Sequence, residues 1–160
     1  MRSHDDRLRE IESIYRARFD HFVRVARAIT GDSERAVEAV QDAFVGAIRG
    51  RASFRGDGPL EAWLWRSVVN SARRAMRRGP SEAFDEVEAW DAPPHVSQVA
   101  PLIARLPERQ RLIVFLRYYA DLDYRTIAFA LGVEVGTVSS SLSAAHATIR
   151  KSMREVWSDA

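Results

Sequence analysis

The sequence lacks several features on which whole classes of protein depend. None of its 160 residues is cysteine, which excludes a disulfide framework and any thiolate metal site. Its four histidines are scattered, without the His-x-x-x-His spacing or the convergent acidic residues of a metal-binding helix. We therefore expect no metal and no other cofactor.

Long apolar runs and catalytic signatures are missing too. No stretch approaches the ~20 apolar residues of a membrane span, and the charged N-terminus offers no apolar core of about seven residues for an export signal. The sequence contains no GxxxxGK[ST] phosphate loop, and no nucleophile, base and orienting group converge. We expect a cytoplasmic protein without catalytic residues.

Charge is distributed unevenly, although the formal net charge is only +2. Residues 1–78 carry 16 arginines against 11 acidic residues, and residues 101–160 carry eight basic residues against six acidic ones. Residues 79–100 between them carry five acidic residues, no basic residue and three of the six prolines. This composition is typical of a linker between two units.

Apolar residues recur at helical spacing along most of the chain, and strand signals are absent. Gly31 should end a first helix, Asp32 should cap a second, and Pro59 should open a third that stops before Gly79. The inner stripe of the second helix is expected to be Val37, Val40, Phe44 and Ile48. The predicted fold is all-α, with one small helical domain over residues 1–80, an acidic linker over 81–100 and a second helical domain over 101–160.

Residues 122–149 have the pattern of a helix-turn-helix. Asp123 can cap a first helix, Gly132 can end it, and a second helix, Gly136 to Ile149, follows a short turn. No Lys, Arg, Asp or Glu occurs in that second helix, so phosphate attraction contributes little to whatever its outer face binds. That face is predicted to comprise Thr137, Ser139, Ser140, Ser141, Ser143 and Ala144. The alternative is a plain helical hairpin inside a core.

The segment from Phe54 to Arg78 is a candidate binding surface. It joins a glycine-rich loop to a helix with polar residues at three- and four-residue steps, which lie on one side of a helix: Arg66, Asn70, Arg73, Arg74 and Arg77. Cations for phosphates, an amide for a base edge and aromatic rings for stacking suit a single-stranded nucleic acid. The alternative is a solvated arginine-rich helix whose Trp63 and Trp65 belong to the core.

A second candidate surface is acidic. Glu38 and Asp42 are like charges four residues apart, which costs a few tenths of a kcal/mol unless something positive offsets it, and Gln41 shares their face. Arg35 offers a local partner for Glu38. A partner surface and a solvated, locally paired face are both consistent with this pattern.

In this order, the segments resemble the extracytoplasmic-function group of bacterial sigma factors. The matching text is DSERAVEAVQDAF from residue 32, FRGDGPLEAWLWRSVVN from residue 54 and LPERQRLIVFLRYYADLDYRTIAFALGVEVGTV from residue 106. The resemblance covers nearly the whole chain. It implies an initiation subunit that binds core RNA polymerase and promoter DNA, with an anti-sigma factor as a further partner and no membrane span of its own.

The resemblance also implies a role for each candidate residue. Glu38, Gln41 and Asp42 would face the polymerase. The minus-ten promoter element would meet Phe54, Arg55, Gly56, Asp57, Asn70, Arg73, Arg74 and Arg77, with the loop capturing a flipped base. The helix-turn-helix would address the minus-thirty-five element through Arg125, Thr126, Thr137, Ser139, Ser140, Ser141, Ser143 and Ala144.

Departures from the family pattern are concentrated in the helix-turn-helix. Four positions that are usually basic hold Ser139, Ser141, Ala144 and His146, and Thr126 stands where an acidic residue is usual. In the N-terminal half, Arg74 stands where an acidic residue is common. A second hypothesis follows: a sigma-like regulatory module that binds polymerase or a protein partner, with impaired recognition of the minus-thirty-five element.

Overall fold

The computed structural model describes residues 3–78 and 99–159, which form α-helices and no strand within these ranges. The helices are α1 (His4–Thr30), α2 (Ser33–Arg49), α3 (Leu60–Arg77), α4 (Ala100–Ala104), α5 (Glu108–Tyr118), α6 (Tyr124–Leu131) and α7 (Val135–Ser158). A single 3-10 turn, Arg51–Ser53, follows α2. The all-α prediction is confirmed, whereas most of the predicted linker, residues 81–98, lies outside the described residues.

Local chemistry sets the junction between α1 and α2. Gly31 ends α1 at φ 69°, in the left-handed region that glycine enters without a Cβ penalty. The Asp32 carboxylate then accepts hydrogen bonds from the backbone N–H groups of Glu34 at 2.8 Å and Arg35 at 3.3 Å. The predicted stop and cap are therefore both confirmed.

We call helices α1 to α3 the N-terminal unit and helices α4 to α7 the C-terminal unit. The core of the N-terminal unit lies among α1, α2 and α3. The ring centroid of Phe22 lies 5.1 Å from that of Phe44 and 4.2 Å from that of Trp65, and Trp65 is fully buried. The prediction that Ile48 faces inward was wrong, because its side chain is 37% exposed and the smaller Ala47 takes the inner position. Most of the buried face of α2 is alanine, which lets the neighbouring helices approach closely.

The C-terminal unit has the helix-turn-helix arrangement that the sequence predicted. The Asp123 carboxylate caps α6 by accepting from the Thr126 N–H at 2.8 Å, and Gly132 ends α6 at φ 66°. Val138 and Leu142 of α7 are buried against this hairpin. α7 extends nine residues beyond the predicted end at Ile149, since neither glycine nor proline interrupts it before Ser158.

The two units pack against each other, with α3 against α6 and α1 against α5. Arg18 Nη1 donates to the Ala120 carbonyl at 3.0 Å, and its Nε lies 3.1 Å from Glu61 Oε1. Buried residues of both units form one continuous cluster. No single helix of the described chain is long and apolar enough to cross a membrane; only the bent pair α6 and α7, at 101° to each other, passes that test together.

Candidate functional site

The loop between α2 and α3 exposes polar groups beside an aromatic side chain. Arg55, Gly56 and Asp57 are exposed, and Gly56 has φ 79°, a conformation that side-chain-bearing residues rarely adopt. Phe54 is half-buried, with its ring centroid 5.5 Å from that of Trp63. A cavity of about 320 Å³ lies between this loop and the first turns of α1. The loop can therefore present polar groups to a ligand while Phe54 holds the start of the loop against the protein.

The polar stripe of α3 is only partly free. Asn70, Arg74 and Arg77 are exposed, whereas Arg73 Nε lies 3.3 Å from Glu108 Oε1 of α5. On the same flank, the Arg66 guanidinium lies 5.3 Å from the ring centroid of Phe129, which belongs to α6. On this side of α3, a nucleic acid strand therefore competes with Glu108 and Phe129 for the two arginines.

The acidic residues of α2 lie on an accessible face. Glu38, Gln41 and Asp42 are all exposed. Glu38 and Asp42 line a cavity of about 200 Å³ between α2 and α3 together with Arg35 and Arg78. The structure thus brings the three predicted polymerase-facing residues together, on a surface of mixed charge that can form ion pairs with a partner.

The outer face of α7 is uncharged from Val135 to Ile149, as the sequence predicted, and exposed cations begin only at Arg150. Ser139, Ser140, Ser143 and Ala144 are exposed, while Thr137 and Ser141 are half-buried. The Ser140 hydroxyl donates to the Thr137 carbonyl at 3.2 Å, so part of its hydrogen-bonding capacity is used inside the helix. What this face offers a partner is hydroxyl and methyl groups.

The edges of the helix-turn-helix carry polar and charged side chains. Arg125 is exposed and Thr126 half-buried at the start of α6. The backbone N–H of Thr126, followed by its hydroxyl, holds the pKa of Asp123 below the ordinary value. His146 Nε2 lies 2.8 Å from the Tyr118 hydroxyl of α5, so the residue at the fourth family-basic position is engaged within the protein.

Some contacts between distant parts of the chain gave no signal in the sequence. Arg7 donates Nη1 to the carbonyls of Arg51 at 2.9 Å and Phe54 at 3.3 Å, and its guanidinium lies 5.0 Å from the Phe54 ring centroid. Arg18 reaches Ala120, 102 residues away. Helical periodicity identifies inner and outer faces but not the distant partner of an outer arginine.

The arrangement is suited to binding. Within residues 3–78 and 99–159, no three His, Asp or Glu side chains are grouped so that they could hold a metal ion. The candidate functional groups on accessible surfaces are cations, carboxylates, amides, hydroxyls and aromatic rings. Such groups recognise nucleic acid or protein by hydrogen bonds, ion pairs and stacking.

Comparison with known proteins follows the same division of the chain. Residues 14–80 match the family model of sigma-70 region 2, and residues 98–149 match that of sigma-70 region 4. The chain is 32% identical over 147 residues to the ECF RNA polymerase sigma factor SigM of Mycobacterium tuberculosis, and this match covers 88% of this chain and 75% of SigM. It is 34% identical over 134 residues to the ECF RNA polymerase sigma-E factor of Escherichia coli, and this match covers 70% of each chain.

Two solved structures share the fold. The structure of CnrH in complex with the cytosolic domain of CnrY matches with a TM-score of 0.72 at 22% identity and covers 92% of this chain and 90% of CnrH. The sigma factor RpoE from Bartonella quintana, in complex with the anti-sigma factor NepR, matches with a TM-score of 0.72 at 19% identity. That match covers 91% of this chain and 97% of RpoE.

Proposed function

Because the chain belongs to the extracytoplasmic-function group of the sigma-70 family of RNA polymerase sigma factors, we propose that its two helical units divide promoter recognition between them. The protein directs core RNA polymerase to promoters and initiates transcription, as a member of a nonenzymatic regulatory family. In the proposed division, residues 1–80 dock on polymerase and open the minus-ten element. Residues 101–160 form the unit that approaches the minus-thirty-five element, joined through residues 81–100.

The observation that carries the proposal is the solvent-facing group of Asn70, Arg74 and Arg77 on the helix that directly follows the exposed loop. Arginines can pair with phosphates, and the Asn70 amide can form hydrogen bonds with a base edge. A flipped base needs polar groups that the intact duplex never meets. We therefore assign the loop (Phe54, Arg55, Gly56 and Asp57) and this side of α3 to strand opening.

Permanganate footprinting of the open complex tests this assignment. Asn70→Ala should reduce the reactivity of the melted bases while its co-purification with core polymerase stays at the wild-type level. We expect the two effects to separate because Asn70 lies on α3 and does not line the cavity that contains Glu38 and Asp42. Wild-type reactivity in Asn70→Ala would remove Asn70 from the opening site.

We propose that Glu38, Gln41 and Asp42 form the docking surface for core polymerase. Reversing both charges, with Glu38→Arg and Asp42→Arg, should weaken core binding by several kcal/mol, since lost charged contacts are replaced by repulsion. A matched control is Glu12→Arg with Asp20→Arg, which reverses two exposed acidic residues of α1. Equal effects of the two double variants on core binding would contradict a specific docking surface.

The neutral outer face of α7 favours a second candidate function for the C-terminal unit. With hydroxyls and methyls in place of cations, it attracts phosphates weakly, and serine hydroxyls can pair with several bases. The protein would then be a sigma-like regulatory module with impaired minus-thirty-five recognition. Run-off transcription with core polymerase distinguishes the two functions, because the module would bind core without starting transcripts.

An anti-sigma factor is a further proposed partner. The solved neighbour RpoE is bound to the anti-sigma factor NepR, and a partner of that class would hold this sigma factor away from polymerase. We also propose that the protein acts in the cytoplasm, together with RNA polymerase. Pull-down of the tagged protein, followed by identification of bound proteins, tests both partner assignments.

A further inference from the structure

Arg7 is not among the residues to which a role has been assigned above. It precedes residue 14, where the region 2 match begins, and it is one turn into α1. The start of α1 is itself fixed by a capping box, in which the Asp6 carboxylate accepts from the Ser3 N–H at 3.3 Å and the Ser3 hydroxyl accepts from the Asp5 N–H at 3.3 Å. Arg7 therefore extends from an anchored helix end.

The Arg7 side chain holds the entry to the glycine-rich loop by three contacts. Its Nη1 donates to the carbonyls of Arg51, at 2.9 Å, and Phe54, at 3.3 Å. Its guanidinium carbon also lies 5.0 Å from the centroid of the Phe54 ring, within the range of a cation–π interaction. One side chain of α1 thus contacts both ends of segment 51–54. This segment belongs to the connection between α2 and α3.

Phe54 is held from two sides. Arg7 covers its ring, and the Trp63 ring lies 5.5 Å away on α3. The hydrogen bonds that Ser53 makes to Gly50 and that Arg51 makes to Ile48 are local, whereas the Arg7 bonds come from another helix. The exposed residues 55–57 therefore extend from a Phe54 whose position depends on Arg7.

We propose that Arg7 is a positioning residue for base capture: it sets the loop so that the polar groups of residues 55–57 meet the extruded base of the promoter. This inference rests on the proposed role of the loop in strand opening. A preset loop loses less conformational freedom when it binds, so the benefit appears as tighter and more selective binding of the base. Without Arg7, the loop must be ordered by the base itself.

The test compares holoenzymes that contain wild-type protein, Arg7→Ala or Arg7→Lys, with Arg9→Ala as the matched control. Arg9 is also an arginine in the first turns of α1, but its side chain is 79% exposed and pairs only loosely with Asp6 at 3.9 Å. The probe is a single-stranded DNA selected from a randomised pool by wild-type holoenzyme. A second set of probes carries an abasic site at each position in turn.

The measured quantity is the ratio of affinities for the intact and the abasic strand at the position where wild type discriminates most. Arg7→Ala should lower this ratio on the order of tenfold, since hydrogen bonds from a charged group are lost, while the variant stays folded and core binding stays near wild type. Arg7→Lys should recover only part of it, because an ammonium lacks the planar fork that spans two carbonyls and stacks on a ring. Arg9→Ala should match wild type.

Asp57→Ala, tested on the same probes, separates the two levels of the proposal. If Asp57→Ala lowers the ratio and Arg7→Ala leaves it unchanged, the positioning role of Arg7 is overturned and the loop assignment stands. If Arg7→Ala weakens intact and abasic strands equally, its role is structural and the proposal is likewise overturned. If the wild type discriminates at no position, the loop does not capture a base, and the proposed function of the loop fails together with the inference.

Discussion

Two cations placed on the outer face of α7, through Ser139→Lys and Ser141→Arg, should raise both duplex affinity and its salt dependence. These are two of the four positions at which family members usually carry a basic residue. Ser139 is exposed and Ser141 is half-buried at the edge of the face. At both, a long cationic side chain can extend into solvent toward a phosphate.

The magnitude follows from counterion release. Each phosphate contact contributes about −0.9 to the slope of log affinity against log salt, so two contacts should steepen the slope by about 1.8. Between about 50 and 200 mM salt, this steeper slope alone changes relative affinity by roughly tenfold. By the same reasoning, the wild-type protein should have a slope shallower by up to about 3 to 4 than relatives with all four cations.

Fluorescence anisotropy of the intact chain on a labelled duplex, repeated across that salt range, measures the slope. The wild type and the Ser139→Lys, Ser141→Arg variant share every other DNA-binding surface. The difference between their salt slopes therefore reports the contribution of the two new cations on α7. The control is Val156→Lys with Ser158→Arg, which adds two cations at exposed positions of the same helix, about 25 Å further along its axis. Parallel lines for the wild type and the α7-face variant, or equal steepening in the control, would refute the reasoning.

Three further predictions concern stability and the contact between the units. Asp123→Ala should lower the free energy of unfolding by about 1 kcal/mol in urea denaturation. Because the pKa of Asp123 is lowered in the folded protein, the part of its stabilisation that depends on the carboxylate charge should be present above the ordinary pKa of 3.8 and lost as pH falls through the folded pKa. Asp123→Asn should flatten this dependence of unfolding free energy on pH. An unchanged dependence in Asp123→Asn would contradict the assignment. Glu108→Arg breaks the partly exposed ion pair with Arg73, so amide exchange in α3 and α6 should quicken by an amount equivalent to at most about 1 kcal/mol; unchanged exchange would show that the pair does not hold the units together. Trp65→Ala should cost about 3 to 5 kcal/mol of unfolding free energy and the half-buried Trp63→Ala clearly less, whereas equal losses would contradict the burial seen for the two rings.

The end of α1, the start of α2 and both ends of α6 were predictable because local chemistry determines them. Gly31 and Gly132 occupy the left-handed conformation that ends α1 and α6, and Asp32 and Asp123 accept hydrogen bonds from the N–H groups of the helices that they precede. Each of these effects operates within a few residues. A sequence pattern carries all the information they need.

Contacts between distant elements were not predictable in the same way. Ile48 has helical spacing for the core, yet Ala47 packs there because the close approach of α2 to its neighbours favours a small side chain. The bonds from Arg7 to Phe54 and from Arg18 to Ala120 span 47 and 102 residues. Their partners are fixed by how helices pack, which periodicity does not specify.

In the candidate site too, features set by local sequence were predictable and contacts between distant elements were not. The sequence identified the polar stripe of α3 and the neutral face of α7, and the structure leaves Asn70, Arg74 and the α7 serines accessible. It did not predict that Arg73 would be paired with Glu108. That pairing depends on the packing of α3 against the C-terminal unit, which no single segment encodes.

Run-off transcription with purified core polymerase and fragments of genomic promoters tests the central claim most directly. The account predicts transcripts with defined starts that depend on added protein and decline when Asn70→Ala replaces it. A protein that binds core polymerase stably and yields no defined transcript from any promoter fragment would contradict the account.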